Sequence, residues 1–274
     1  MNDFQNVLVV GGASGIGKAT VKKLLEDNYK VIVVDLDRER LELIKNEYIS
    51  RKKNSLSTLP LDITDKSEVT EGLRWITEQF GHLDCIVISA GIHSTYPVEY
   101  LPDDVIHKVL DVNLIAHIKL VRDLLPIIRD GGRIIGVSSI AAGLGVPMSS
   151  MYSASKAGLE GFYESLSIEV SYRKIKAILI HPGNVNTGFN ETGNIYQPTG
   201  NQFIDEGYSR VVSNIDSHYG IIPDVVADAI IKAIKTKSPR FCYIVGLNAR
   251  KAYWAKRLLG RNMAIKLMAK YFGF

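Results

Sequence analysis

Cysteine is scarce in this sequence. There are two in 274 residues, and both sit in apolar runs: Cys85 in "LDCIVISAG" and Cys242 in "RFCYIVG". Thiols embedded this way read as small buried residues, which argues against a disulfide-stapled fold. Histidines and carboxylates are scattered without metal-ligand spacing, so no metal site is expected. No stretch of about 18 apolar residues occurs, and none is expected to span a membrane. There is no basic leader before the apolar run "NVLVV" at 6–10, so the expected location is a reducing cytoplasm. The body of the chain has no basic stripe interleaved with stacking aromatics, which argues against nucleic acid as a partner. The last shortage is of one charge sign. No acidic side chain follows Asp228, whereas eleven lysines and arginines do, from Lys232 to Lys270. The net charge of +4 therefore sets a basic tail against a body of −7.

What is present is enough for a large core, with 46% hydrophobic and 23% charged residues at a length that α/β folds reach as one unit. Short apolar runs alternate with helical stretches. "NVLVV" precedes a helix predicted from about Gly15 to Asp27, and "KVIVV" (30–34) a charged helix to about Arg51. "STLPL" leads to a helix over 65–80 with Asp65 as N-cap. Helices over 103–129 and 151–173 follow "DCIVIS" (84–89) and "RIIGVSS" (133–139). "KAILI" (176–180) leads through an irregular stretch to a helix over 224–236 and the run "RFCYIV" (240–245). The strands are continuously apolar, as suits strands covered on both faces. This alternation predicts an α/β protein with a doubly wound parallel sheet. One domain is expected over 1–246, in which 183–222 is a substrate loop, and 247–274 is a helical extension of that same domain.

The first strand ends in "VGGASGIGKAT". Gly11, Gly15 and Gly17 fall at a strand-to-helix turn, where positive φ and close approach to a ligand both favour glycine. The helix opening there aims unpaired N–H groups and its positive end at whatever lies above, which suits a dinucleotide pyrophosphate. A packing turn would also use glycines. The second strand, however, ends in Asp35, 24 residues past Gly11, where a carboxylate can accept both hydrogen bonds of an adenosine ribose diol. That carboxylate would repel a 2′-phosphate. No basic residue lies in the turn before Gly17, and Leu36 follows Asp35, so NAD is favoured over NADP; Arg38 is the nearest group that could favour the phosphate.

Three tyrosines stand four residues ahead of a lysine: Tyr48 with Lys52, Tyr152 with Lys156, and Tyr172 with Lys176. Only the middle pair opens a helix just after a strand end, one turn apart on one face, at the carboxyl edge where doubly wound sheets bind ligands. Ser139 closes the preceding strand. A lysine ammonium beside the phenol, joined by an oxidised nicotinamide, would lower the tyrosine pKa and let it exchange a proton with an alcohol. A serine hydroxyl nearby would orient the same oxygen. The other two pairs read as surface packing.

On these residues the sequence resembles the short-chain dehydrogenases/reductases, over roughly residues 5–246 and with the motifs in the family's order. Gly11, Gly15 and Gly17 match the family's Gly-x3-Gly-x-Gly, Asp62 its aspartate beside adenine, and Asn113 in "DVNL" its relay asparagine, which holds a water. Ser139, Tyr152 and Lys156 match the remaining catalytic set, and "PGNVNT" matches the segment whose Val185 and Thr187 meet the nicotinamide carboxamide. The resemblance implies a Rossmann fold and catalysis by Asn113, Ser139, Tyr152 and Lys156. It implies a coenzyme held by Gly11, Ser14, Gly15, Ile16, Gly17, Asp35, Asp62, Ile63, Ala90 and Gly91, then Asn113, Tyr152, Lys156, Pro182, Gly183, Val185 and Thr187. A homodimer or homotetramer is the implied assembly. Two positions depart from the pattern: Val10 replaces a threonine ahead of the first glycine, and Ser89 replaces an asparagine that ties neighbouring strands, so some loss of rigidity is expected.

His93, just past "SAG" and near where a substrate would enter, is expected to be solvent-exposed in its loop, with a contact to the substrate as the alternative, and His181 structural. The tail 247–274 combines aromatics, methionines and lysines with a break expected at Gly260. It reads either as a helical flap over an apolar substrate or a neighbouring subunit, or as a peripheral contact with anionic lipid. The expected function is an NAD(H)-dependent oxidoreductase interconverting a secondary alcohol and a ketone, on a steroid, retinoid or other lipophilic alcohol. The alternatives are an NADPH-dependent 3-oxoacyl-type reductase, or a nucleotide-binding regulatory protein with vestigial catalysis.

Overall fold

A computed structural model describes residues 4–52, 55–187, 198–215 and 220–274, without the side chains of 49–52 and 215. Seven strands, all parallel, form one sheet in the order β3-β2-β1-β4-β5-β6-β7. They are β1 (Asn6–Val10), β2 (Lys30–Asp35), β3 (Leu56–Pro60), β4 (Leu83–Ile88), β5 (Ile128–Val137), β6 (Lys176–Pro182) and β7 (Cys242–Val245). The order reverses direction between β1 and β4, and such a switch point opens a crevice above the strand ends.

The uninterrupted apolar strands are explained by two cores. Val7, Val9, Val31 and Val33 face one, with Leu24 and Leu25 of α1 (Gly15–Glu26), Leu41 of α2 (Arg38–Lys52) and Ile230 and Ile234 of α8 (Pro223–Lys235). Leu8, Ile32, Ile86 and Ile134 face the other, with Ile76 of α3 (Lys66–Phe80), Leu124 of α5 (His117–Leu124) and Leu159 and Tyr163 of α6 (Ser150–Glu169). Each such fully buried aliphatic side chain contributes about 1.5–3 kcal/mol. Asp65 caps α3 as expected, its Oδ1 accepting from Ser67 N at 2.7 Å and Glu68 N at 3.0 Å.

Three expectations change. The helix over 103–129 is present but carries a π-helical turn and ends earlier: α4 (Asp103–Leu110) passes through that turn (Asp111–Ala116) into α5, and β5 begins at Ile128. The apolar run "LLPII" fits helix or strand equally well, and Pro126 ends the helix. The helix expected over 151–173 gives way after Glu169 to a short 3-10 turn at Ser171–Arg173. The expected substrate loop is partly helical, because α7 (Gln202–Ile215) lies inside it; residues 188–197 and 216–219 of that stretch lie outside the described residues. The tail forms α9 (Leu247–Phe272), which bends at Gly260 (φ 78°), where the break was expected. Among the described residues no helix is long and apolar enough to cross a membrane, and Cys85 and Cys242 are both free thiols.

Candidate active site

A cleft of about 1610 Å³ opens along the carboxyl edge of the sheet. One wall is the glycine turn, anchored by Gly11 N and Gly12 N donating to Val34 O at 2.8 and 3.2 Å. Gly11 holds φ +72°, and a Cβ there would lie 2.5 Å from Ala90 N. A Cβ on Gly17 would lie 1.9 Å from Gly11 O, so this glycine lets α1 start hard against the turn; it is buried behind the wall and does not line the cleft. Ser14, Gly15 and Ile16 do line it. Ser14 is the N-cap of α1 yet makes no side-chain cap, and the first turn carries no acidic residue. The positive end of α1 is thus left for an anion.

Asp35 reaches the cleft from the end of β2. Its Oδ2 accepts from Ala13 N at 2.9 Å and its Oδ1 from Asp37 N at 3.1 Å, which fixes the carboxylate and leaves each oxygen a further lone pair. The basic residue brought to this corner is Arg40, held by Asp37 at 3.1 Å, and not the Arg38 singled out from sequence. Helical spacing from Asp37 was the available signal. Asp62 and Ile63 line the same end, and Asp62 Oδ1 accepts from Thr64 N at 2.8 Å. Ser89 stands where the family's asparagine would tie neighbouring strands, and here the backbone joins the ends of β1 and β4: Val10 O accepts from Ser89 N at 2.8 Å and Ala90 N at 3.1 Å. Opposite, Pro182, Gly183, Val185 and Thr187 complete the enclosure, with Thr187 Cγ2 3.2 Å from where a Gly15 Cβ would stand.

Deeper in the cleft, Tyr152 hydrogen-bonds to Ser139. Lys156 Nζ lies 5.6 Å from the centre of the phenol ring and donates to Val137 O at 3.0 Å. Gly91 leaves the room: a Cβ there would meet Asn113 Oδ1 at 3.2 Å and Lys156 Nζ at 3.5 Å. The lowered tyrosine pKa anticipated from sequence concerned a coenzyme-bound state. In the protein alone burial dominates and pushes Tyr152 up to about 12, against the lowering effect of the Ser139 bond. Burial also brings Lys156 down to about 8. At neutral pH the phenol therefore keeps its proton, and the lysine is still mostly charged.

Asn113 is fully buried in the π-helical turn and does not line the cleft. Its Oδ1 accepts from Ile92 N at 2.8 Å, and its Nδ2 donates to Ile92 O at 2.9 Å and Ser155 Oγ at 3.1 Å. The side chain braces the loop after β4, which leaves any relay at this position to the backbone that the wide turn opens.

His93 corrects another expectation. It is buried, its ring edge-on to Tyr152 with centroids 4.8 Å apart, and burial lowers its pKa to about 4, so it is neutral at pH 7. No local pattern signals this, because the loop folds back only in three dimensions. Leu144 and Ser149 ahead of Tyr152 were unforeseen; the tail, read as a flap over an apolar substrate, brings Met268, Tyr271 and Phe272 of α9 to the cleft. Of the other tyrosine–lysine pairs, Tyr172 is 81% exposed and remote from the cleft. Tyr48 packs half-buried against the core, which is more than surface packing, and the side chain of Lys52 lies outside the described residues.

A cleft with a Cβ-free cradle, an uncapped helix start and an aspartate at the second strand end fits a nicotinamide dinucleotide, and these features define a nucleotide-binding oxidoreductase fold. The short chain dehydrogenase family model matches residues 5–196, and the chain belongs to that family. A 3-ketodihydrosphingosine reductase of Bacteroides thetaiotaomicron is 30% identical over 247 residues, 88% of each chain. A hydroxynaphthalene reductase-like protein, Arp2, of Metarhizium brunneum is 32% identical over 66% of this chain and 68% of its own. In fold, a short-chain dehydrogenase from Streptomyces avermitilis superposes with a TM-score of 0.85 over 99% of this chain and 97% of that one, at 23% identity. A Burkholderia phymatum member in complex with NAD gives 0.80 over 94% and 96%, at 20% identity.

Proposed function

We propose that this protein interconverts a lipophilic ketone and its secondary alcohol, with the site poised toward reduction. Tyr152, hydrogen-bonded to Ser139 above Lys156 on the floor of the cleft, is the observation that carries this reading. A bound nicotinamide would supply or accept the hydride. Ser139 orients the carbonyl oxygen, and Tyr152, protonated at neutral pH, gives that oxygen its proton. Lys156 offsets the negative charge left on the phenol. Gly11, Ser14, Gly15 and Ile16 would hold the pyrophosphate, Asp35 the ribose diol, Asp62 and Ile63 the adenine end. Ala90, Gly91, Pro182, Gly183, Val185 and Thr187 would hold the nicotinamide half. A ribose-accepting carboxylate favours NAD, and Arg40, already paired with Asp37, is the group NADPH would have to recruit.

Residues 1–246 form the catalytic unit on this reading, and 247–274 its extension. Met268 and Phe272 of α9 present apolar surface to the cleft, which supports a lipophilic substrate, and the relative that reduces 3-ketodihydrosphingosine points the same way. The outer face of α9 exposes Leu247, Trp254 and Leu258 beside Arg250, Lys251 and Arg257, a combination suited to peripheral contact with an anionic membrane from the cytoplasmic side. Ile115 and Ile168, exposed on the stretch from α4 to α5 and on α6, support a homo-oligomer.

Replacing Tyr152 with Phe should lower kcat by about 10²–10⁴-fold while coenzyme binding, followed by fluorescence, persists. Equal turnover in the variant would remove the assignment. The ratio of NADH to NADPH affinity, measured again in Asp35→Ala, should fall in the variant.

A further inference from the structure

Ser149 stands three residues ahead of Tyr152, at the N-cap of α6. Serine is favoured there because its hydroxyl satisfies a free N–H of the first turn. Ser149 does not do this: it makes no side-chain cap. Its Oγ is buried, the residue being 1% exposed, and has no hydrogen-bond partner among the described residues. The residue lines the cleft beside Tyr152, Leu144, Val146 and His93. Buried hydroxyls are almost always paired, so an orphan that has also given up its cap needs a reason. A group from a ligand is the partner its position allows.

We propose that Ser149 determines specificity by hydrogen-bonding a second polar group of the substrate, a hydroxyl near the reacting carbon. Ser149 immediately precedes α6, three residues ahead of Tyr152, and both line the cleft, so a substrate whose carbonyl meets Tyr152 extends along the wall that holds Ser149. Leu144 and Val146 make the rest of this wall apolar, and His93 is neutral at pH 7. A substrate lacking the second group leaves the serine unpaired, and discrimination against it follows. The inference rests on Tyr152 being the proton donor.

The test uses three ketones: an unbranched dialkyl ketone, the same ketone hydroxylated on the adjacent carbon, and the same hydroxylated one carbon further. The wild type should favour one hydroxylated ketone over the plain one by roughly ten- to a hundredfold in kcat/KM, and in Ser149→Ala that ratio should collapse to near one. The thermal midpoint of the variant should hold or rise, since an unpaired buried hydroxyl is removed. A ratio unchanged by the substitution, a uniform loss on all three ketones, or a lowered midpoint of the kind that follows cap removal would overturn the proposal. Plain-ketone turnover that survives Tyr152→Phe would instead sink the reading beneath it, whatever Ser149 does.

Discussion

Helices α3 and α6 both begin on a residue suited to capping, and they use it differently. Asp65 closes the start of α3, taking the N–H groups of Ser67 and Glu68; it follows the cleft-lining Asp62, Ile63 and Thr64 but does not itself line the cleft. Ser149 at α6 and Ser14 at α1 cap nothing, and both face the cleft. A helix that only has to be stable satisfies its own first turn, whereas one that serves a ligand leaves its polar groups open. Ser139, at the end of β5, combines the two roles, since its Oγ accepts from Ala141 N at 3.1 Å and it also bonds Tyr152.

The contrast can be broken most severely at the start of α1. A methyl group on Gly17 would fall 1.9 Å from the Gly11 carbonyl, which is backbone and cannot swing away. Gly17→Ala should therefore cost at least about 3 kcal/mol in urea unfolding. Gly81, at the far end of α3, has φ +69° and nothing within 4 Å of where a methyl group would stand, so the same change there should cost only about 1 kcal/mol of backbone strain. Next in size is a pH effect at the start of α6. Burial sets Lys156 at about 8, and its charged form is the one below that value. Reductive kcat/KM should hold below about pH 8 and then decline roughly tenfold per pH unit, while Tyr152, at about 12, keeps its proton throughout. A flat profile to pH 10 would show that the lysine charge is not required. The smallest effect sharpens the capping contrast itself: Asp65→Ala should lower the thermal midpoint by roughly two degrees, whereas Ser149→Ala should not lower it.

Surface variants extend the comparison to α9. Trp254→Glu with Leu258→Glu should reduce sedimentation with phosphatidylserine vesicles while leaving reduction of a small water-soluble ketone intact. Binding that persists would assign the exposed face another role.

The parts of the protein that could be read in advance are those set by local rules. Parallel strands buried on both faces announce themselves as unbroken apolar runs, and glycines at a strand-to-helix turn can be counted before any coordinates exist. Tyr152 was separable from Tyr48 and Tyr172 because a strand end and a helix start flank it in the chain itself. The misreadings arose where local signals are ambiguous. "LLPII" fits helix or strand, and a loop histidine can lie in water or against a phenol.

The parallel α/β sheet, the order of its elements, the glycine turn and the place of Tyr152 at the sheet's carboxyl edge were all written in the chain, because each depends on spacing and hydrophobic period along a few consecutive residues. Folding was needed to set His93 against Tyr152, to stand Arg40 at the Asp35 corner, to lend Met268 and Phe272 of α9 to the cleft, and to leave Ser149 unpaired. Those relations join residues far apart in the chain, or depend on which polar groups remain unsatisfied after packing, and burial is a property of the whole fold.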